Sequence, residues 1–230
     1  MLIPGAWLGA WCWRPVAMRL RAAGHRAIAL TLPGLGIGDD PSCCVLNDAV
    51  DRIVGEVRRL ELDRVTLVAH SWGGYPGTAA ARLLGHRVDK LVYYNGLVPS
   101  RGISMADDHP ARVRRELILR LIDESPVGAI APYPELVEQE LMQGVAPALQ
   151  RMVTNLLAPQ PGRYFLDALD TDVAALGVPT AYLAGDDDRA LPRPAAALAA
   201  RLGVKPTSVP GTHLGMLTHP ADLAEAIMTA

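Results

Sequence analysis

The chain has 230 residues, half of them hydrophobic, so it can bury one sizeable core, and a single domain is expected over 1–230. Lys and Arg number 22 against 24 Asp and Glu, a net charge of -2 that argues against a broad phosphate-binding surface and so against a nucleic-acid partner. Three cysteines, Cys12, Cys43 and Cys44, supply neither a disulfide framework nor the paired spacing of a zinc site, and no metal is expected. With no charged leader before a long apolar segment and no bilayer-length apolar run, a cytoplasmic protein without membrane association is expected.

Leu2-Ile3 is a short apolar run ended by Pro4-Gly5. Arg14 to Ala23 is helix-compatible and closed by Gly24, ahead of the strand-like Ala27 to Leu32. The glycines from Gly34 to Gly38 read as loop, because they lack the G-x-G-x-x-G arrangement that opens a dinucleotide-binding helix. Val45 to Leu60 reads as a helix and Val65 to Val68 as a strand. A helix after Ser71 then leads to Leu91 to Tyr94, with Asn95-Gly96 at its end. Short, nearly all-apolar runs separated by helices predict an α/β fold with a mostly parallel sheet flanked by helices. From about Leu97 to Leu169 that rhythm breaks. Helices are expected at Ala111 to Asp123 and Pro134 to Leu157, with prolines around them and no central strand, as in a small helical cap inserted over the sheet. Alternation returns with Thr180 to Ala184, a helix around Pro194 to Leu202, Thr207 to Val209, and a last helix after His219-Pro220.

The strongest local signal is Val65-Thr66-Leu67-Val68-Ala69-His70-Ser71-Trp72-Gly73-Gly74. A buried strand running into a serine flanked by small residues, with a helix beyond, is the setting of a nucleophile elbow, which lifts the hydroxyl above the sheet. Ala69 replaces the first glycine of the usual G-x-S-x-G, a departure of one methyl. A serine hydroxyl needs a base. His213, in a loop just after the last apolar run, is suited to that task, whereas His70 shares the strand of Ser71 and is expected to point away from it. His25, His86 and His109 have ordinary capping, surface or packing explanations, and His219 a structural one. Gly185-Asp186-Asp187-Asp188 offers three carboxylates to orient the base. Asp188 is favoured because the two preceding residues give the loop room to turn, with Asp186 or Asp187 left to cap a helix or face solvent. Two backbone N–H groups, of Ala6 in the early loop and Trp72 just after the serine, are candidates for an oxyanion hole.

Four stretches carry a resemblance to a known family: PGAWLGAWCWRPVAMRLRAAGHRAIALTLPGLG, VTLVAHSWGG, VPTAYLAGDDDRALP and PGTHLGMLTHPADLAEAI. The chain resembles the α/β-hydrolase superfamily, and within it the plant methylesterase and hydroxynitrile lyase-like family with its bacterial esterase relatives. The likeness runs over essentially the whole chain and is weakest from Ala106 to Ala158. It implies a sheet-and-helix core with a small helical cap and a Ser-Asp-His triad needing no metal or organic cofactor. On this sequence those positions are Ser71, Asp188 and His213, with Ala6 and Trp72 as oxyanion donors. The usual histidine before the early glycine is Pro4 here. The lysine that the lyases carry after the catalytic histidine is Leu214, which weakens a cyanohydrin reading.

The leading expectation is hydrolysis of a small or medium apolar carboxylic ester through an acyl-serine. The alternatives are a thioesterase, lactonase, amidase or acyltransferase, a cofactor-free lyase or cyclase, and a noncatalytic ligand-binding protein. Trp7 and Trp72 are candidates to line the acyl pocket. Ile118, Leu121, Ile130, Leu141, Met142, Leu149 and Met152 are candidates to enclose the substrate from the cap, although their helical spacing suits ordinary packing equally.

Overall fold

The computed structural model describes residues Met1 to Ala230. Seven strands occur: β1 (Leu2–Ile3), β2 (Val65–His70), β3 (Val88–Tyr94), β4 (Ala129–Ile130), β5 (Gln160–Pro161), β6 (Thr180–Gly185) and β7 (Thr207–Val209). Five of them form a parallel sheet in the order β1-β2-β3-β6-β7. The main helices are α1 (Arg14–Ala22), α2 (Leu46–Arg59), α3 (Gly74–Leu84), α4 (Arg112–Asp123), α5 (Pro147–Thr154), α6 (Ala195–Ala200) and α7 (Pro220–Thr229).

The strands read as apolar throughout because both faces of the sheet are covered. Successive residues go to opposite sides. Leu67, Ala69, Leu91, Tyr93 and Tyr182 join the core beneath α2 and α3. Val68, Val92, Tyr94 and Leu183 join the core beneath α1 and α7. α2 turns Leu46, Ala49, Val50, Ile53, Val54 and Val57 inward at helical spacing. Its start is fixed by Asp48, whose carboxylate accepts the Val45 N–H at 2.8 Å.

The mostly parallel α/β architecture expected from the alternation is the one observed, with two local departures. Ala27 to Leu32 makes only a single bridge, Ala29 to Leu2. Its partner β1 is two residues long because Pro4 has no N–H to continue the ladder. The expected helix from Pro134 to Leu157 is broken. A turn at Pro134–Leu136 passes into a π-helical segment, Val137–Leu141, and α5 starts only at Pro147. Between them Gly144 takes φ 74°, a left-handed conformation that ends helical winding. The middle segment also holds the antiparallel pair β4–β5, whose two-residue strands are too short to leave a periodicity in the sequence.

The first turn of α3 runs so close to the start of the middle segment that a Cβ on Gly74 would lie 2.0 Å from the Leu97 carbonyl oxygen. Gly55, exposed in the interior of α2, has nothing within 4 Å of such a Cβ. The two alanine substitutions should therefore act in opposite directions. Gly74→Ala is expected to destabilise by about 3 kcal/mol or more. Gly55→Ala is expected to stabilise by roughly 0.5–1 kcal/mol. Urea unfolding of both variants checks the pair, and equal signs would contradict it.

Candidate active site

β2 ends at His70 and the backbone turns at once into helix, leaving Ser71 at φ 51°. That left-handed geometry at a residue with a Cβ costs of order 1–3 kcal/mol and persists only where neighbours hold it. The Leu97 N–H donates to the Ser71 carbonyl at 2.9 Å. The early loop lies directly alongside, since a Cβ on Gly5 would sit 2.7 Å from that of Ser71. Ala69 fits at the position usually held by glycine because α3 presents Gly77 opposite, where a Cβ would meet the Ala69 methyl at 3.0 Å.

At the same end of the sheet, the loops after β6 and β7 bring Asp188 to His213. The Nδ1 of His213 lies 2.7 Å from Asp188 Oδ2, and the two side chains are 5% and 3% exposed. The other oxygen of Asp188 accepts the N–H groups of Ala190 at 2.8 Å and Leu191 at 3.1 Å, which fixes the carboxylate plane. The neighbouring aspartates do other things. Asp186 accepts the Gly211 N–H at 2.8 Å, tying the two loops together, and Asp187 pairs with Arg189 at 3.3 Å on the surface. Ser71 and His213 face one cavity, which Ala6 and Trp72 also line. The Ala6 N–H has no acceptor within the chain.

Three residues not singled out as functional in the sequence hold this arrangement. His70, expected only to point away from Ser71, donates from Nε2 to the His213 carbonyl at 3.0 Å. Asn95 reaches the carbonyls of Thr212 at 3.4 Å and His213 at 3.3 Å and accepts the Gly185 N–H at 2.7 Å, bracing both loops. Its φ of 44° is one that asparagine tolerates, and Asn-Gly at a strand end was the available signal. Gln160 in β5 accepts the Trp7 N–H at 2.8 Å, which pins the early loop next to Ala6. His70 is fully buried, and desolvation, followed by the proximity of His213, lowers its pKa well below the ordinary 6.5.

The cavity measures about 140 Å³. That is close to the roughly 150 Å³ of an engineered apolar cavity that takes up benzene, so it suits one ring or a short chain. Trp7 and Trp72 line it, and Trp72 is stacked on Tyr164 at 4.5 Å with its Nε1–H donated to the Tyr164 carbonyl. Of the apolar candidates from the middle segment, Ile118, Leu121, Ile130 and Leu141 line the cavity. Met142 and Leu149 instead pack into the core beneath α1 and α7, and Met152 is exposed. His109 accepts the Ala111 N–H on its Nδ1 just before α4, in keeping with the capping role open to it, and it also reaches the cavity wall. No cluster of three or more His, Cys, Asp or Glu side chains is arranged to hold a metal ion.

The family model of the alpha/beta hydrolase family matches residues 1–226. The chain belongs to that family. A carbendazim hydrolyzing esterase from Nocardioides is 36% identical over 143 residues, spanning 60% of this chain and 58% of the esterase. The chain thus aligns with little more than half the length of that relative. Methylesterase 8 of Arabidopsis thaliana is 26% identical over 206 residues, 83% of this chain and 72% of that enzyme. Among solved structures, an extracellular alpha/beta-hydrolase from a Paenibacillus species superposes with TM-score 0.93 at 24% identity, covering 100% of this chain and 97% of its own. That protein is described as sharing structural and functional homology with a tobacco salicylic acid binding protein. The likeness places the α/β-hydrolase fold beyond the sheet order itself.

Buried His70 has a consequence for pH. The folded chain binds a proton there less readily than the unfolded chain, so the unfolded state gains protons as pH falls through about 6.5. Stability from this site is complete above that pH and declines below it. Carboxylates such as Glu56, held at about 2 by Arg59 and Arg52, titrate below this window. Between pH 6.5 and 5, His70→Gln should therefore flatten the fall of unfolding free energy, by up to about 1.4 kcal/mol per pH unit. Urea titrations at stepped pH measure the slope, and an unchanged slope would rule out His70 as its source.

Proposed function

We propose that the chain cleaves a small or medium apolar carboxylic ester through an acyl intermediate on Ser71. It is a carboxylic ester hydrolase. The observation that carries this reading is the buried Asp188–His213 pair facing the same cavity as Ser71 at its strained turn. Relatives bearing the names esterase and methylesterase support the ester as substrate class.

The reaction follows from these groups. Asp188 takes the Nδ1–H of His213, leaving Nε2 as the free basic nitrogen. His213 accepts the Ser71 proton as the serine oxygen attacks the carbonyl carbon. The carbonyl electrons move to oxygen, where the Ala6 and Trp72 N–H groups stabilise the anion, and the helix starting beyond Ser71 directs its positive end the same way. Collapse expels the alcohol with the proton from His213. Water, deprotonated by His213, then releases the acid and regenerates Ser71. This chemistry calls for no cofactor. The middle segment, residues 97–169, serves as the cap over the cavity, contributing Met105, Ile118, Leu121 and Phe165 to its wall. No helix is long and apolar enough to cross a membrane. The free thiols of Cys12, Cys43 and Cys44 suit a reducing, cytoplasmic compartment.

A short-chain aryl ester is the first probe, because its good leaving group makes acylation easy to observe. Rapid quenching and peptide mass spectrometry should find the acyl mass on Ser71. Ser71→Ala should abolish the adduct and most turnover, and His213→Ala should slow acylation sharply. Asp188→Asn should lower kcat/KM by about 10³-fold or more, while Asp187→Asn leaves it near wild type. Turnover at the wild-type rate in Ser71→Ala, without an adduct, would overturn the covalent mechanism.

A further inference from the structure

The cavity beside Ser71 is separated from a second, larger cleft by a single layer of side chains. Arg114, Leu117, Leu121, Tyr133, Leu136 and Glu140 line both spaces, the inner of about 140 Å³ and the outer of about 770 Å³. An ion pair between Arg114 and Glu140 closes the layer, linking α4 to the π-helical segment. The side chains of that pair are 45% and 27% exposed, so solvent screens it in part, and what closes the layer is the bulk of the two side chains together with their pairing.

The two sides of the partition are held differently. Glu140 sits in a segment anchored to the proposed machinery. The carbonyl of the next residue, Leu141, accepts the Leu214 N–H at 3.2 Å, and the Gln143 side chain donates to the Asp187 carbonyl. Arg114, Leu117 and Leu121 ride on α4, none of whose residues is buried. The side that yields is therefore α4. Once the ion pair parts, Leu117, Leu121 and Leu136 offer an alkyl chain an apolar wall between the two spaces.

We infer that this layer is a size gate for the acyl group: chains that fit the inner cavity bind with Arg114 and Glu140 closed, and longer alkyl chains must pass between them into the outer cleft. The inference rests on the reading of Ser71 as the acylated residue, but binding tests it independently. In Ser71→Ala protein, straight-chain carboxylates of increasing length are titrated by tryptophan fluorescence, since Trp7 and Trp72 line the inner cavity. Each methylene buried should tighten binding about fourfold until the inner cavity is full, after which the increments should stop. Adding Arg114→Ala should carry the increments on by two or more methylenes, a gain of about 16-fold for acids just beyond the break. Adding Leu117→Trp should move the break to shorter acids, and this half-exposed position tolerates the change. The Ser71-intact counterparts should show the same breaks in kcat/KM for aryl esters of matching acyl length. A break at one length in all three binding profiles, or no break in any, would overturn the gate. Shifted binding breaks alongside ester turnover that survives Ser71→Ala would keep the gate and discard the nucleophile.

Discussion

Everything at the candidate site depends on a backbone that changes from strand to helix within one residue. Ser71 carries that change at φ 51°, a conformation the residue would not hold alone. It is held because the residues before it are locked into a central strand paired on both sides, and those after it enter a helix buried along most of its length. The Leu97 N–H then closes the turn from the far side. That last bond ties the exit of β3, where the middle segment begins, to the serine itself. The close approach leaves no room for a side chain on Gly74.

The second constraint is electrostatic. His213 already has its Nδ1 committed to Asp188, and its backbone carbonyl receives donors from both His70 and Asn95. The ring of His70 lies 4.7 Å from that of His213. Two like charges at that distance would repel by about 3–4 kcal/mol at an effective dielectric of about 20. An imidazolium on the proposed base is tolerable only if its neighbour stays neutral, and complete burial ensures that. His70 thus holds the proposed base through its backbone without competing for the proton.

The sequence carried the strand, the serine turn and the order of Ser71, Asp188 and His213 because those signals are local: an apolar run, a small-residue turn, an acidic loop after a strand. What it did not reveal was set by contacts distant along the chain. Gln160 meets Trp7 across 153 residues, and Asn95 meets His213 across 118. Gln160 has nothing in its own neighbourhood to set it apart from an ordinary polar side chain, and the Asn95-Gly96 pair marks a strand end without naming the partners across the site. The break in the long helix from Pro134 was misread for a different reason. Its apolar spacing continues through the π-helical segment, whose extra residue per turn leaves no gap in the pattern, so only Gly144 and Pro147 marked the end.

The same division separates chemistry from selectivity. Groups proposed to carry the reaction sit on turns at the ends of β2, β6 and β7, and the sheet's ladders fix them. Most of the cavity wall comes from the middle segment, whose own sheet is two residues long on each strand. Substitutions on α4, none of whose residues is fully buried, therefore alter the shape of the cavity at little cost to the core, except at Ile118, Leu121 and Ile122, which pack against it. The π-helical segment and the two residues after it are the exception, since they line the cavity through Leu141 and Glu140 and also bond to the loops of His213 and Asp188 through Leu141 and Gln143. A side chain on α4 can change the cavity wall without touching the loops of Asp188 and His213. One on residues 137–143 bears on the cavity wall and on the proposed acid–base pair together, so the wall is freest to vary where the segment lines the cavity without bonding to the loops.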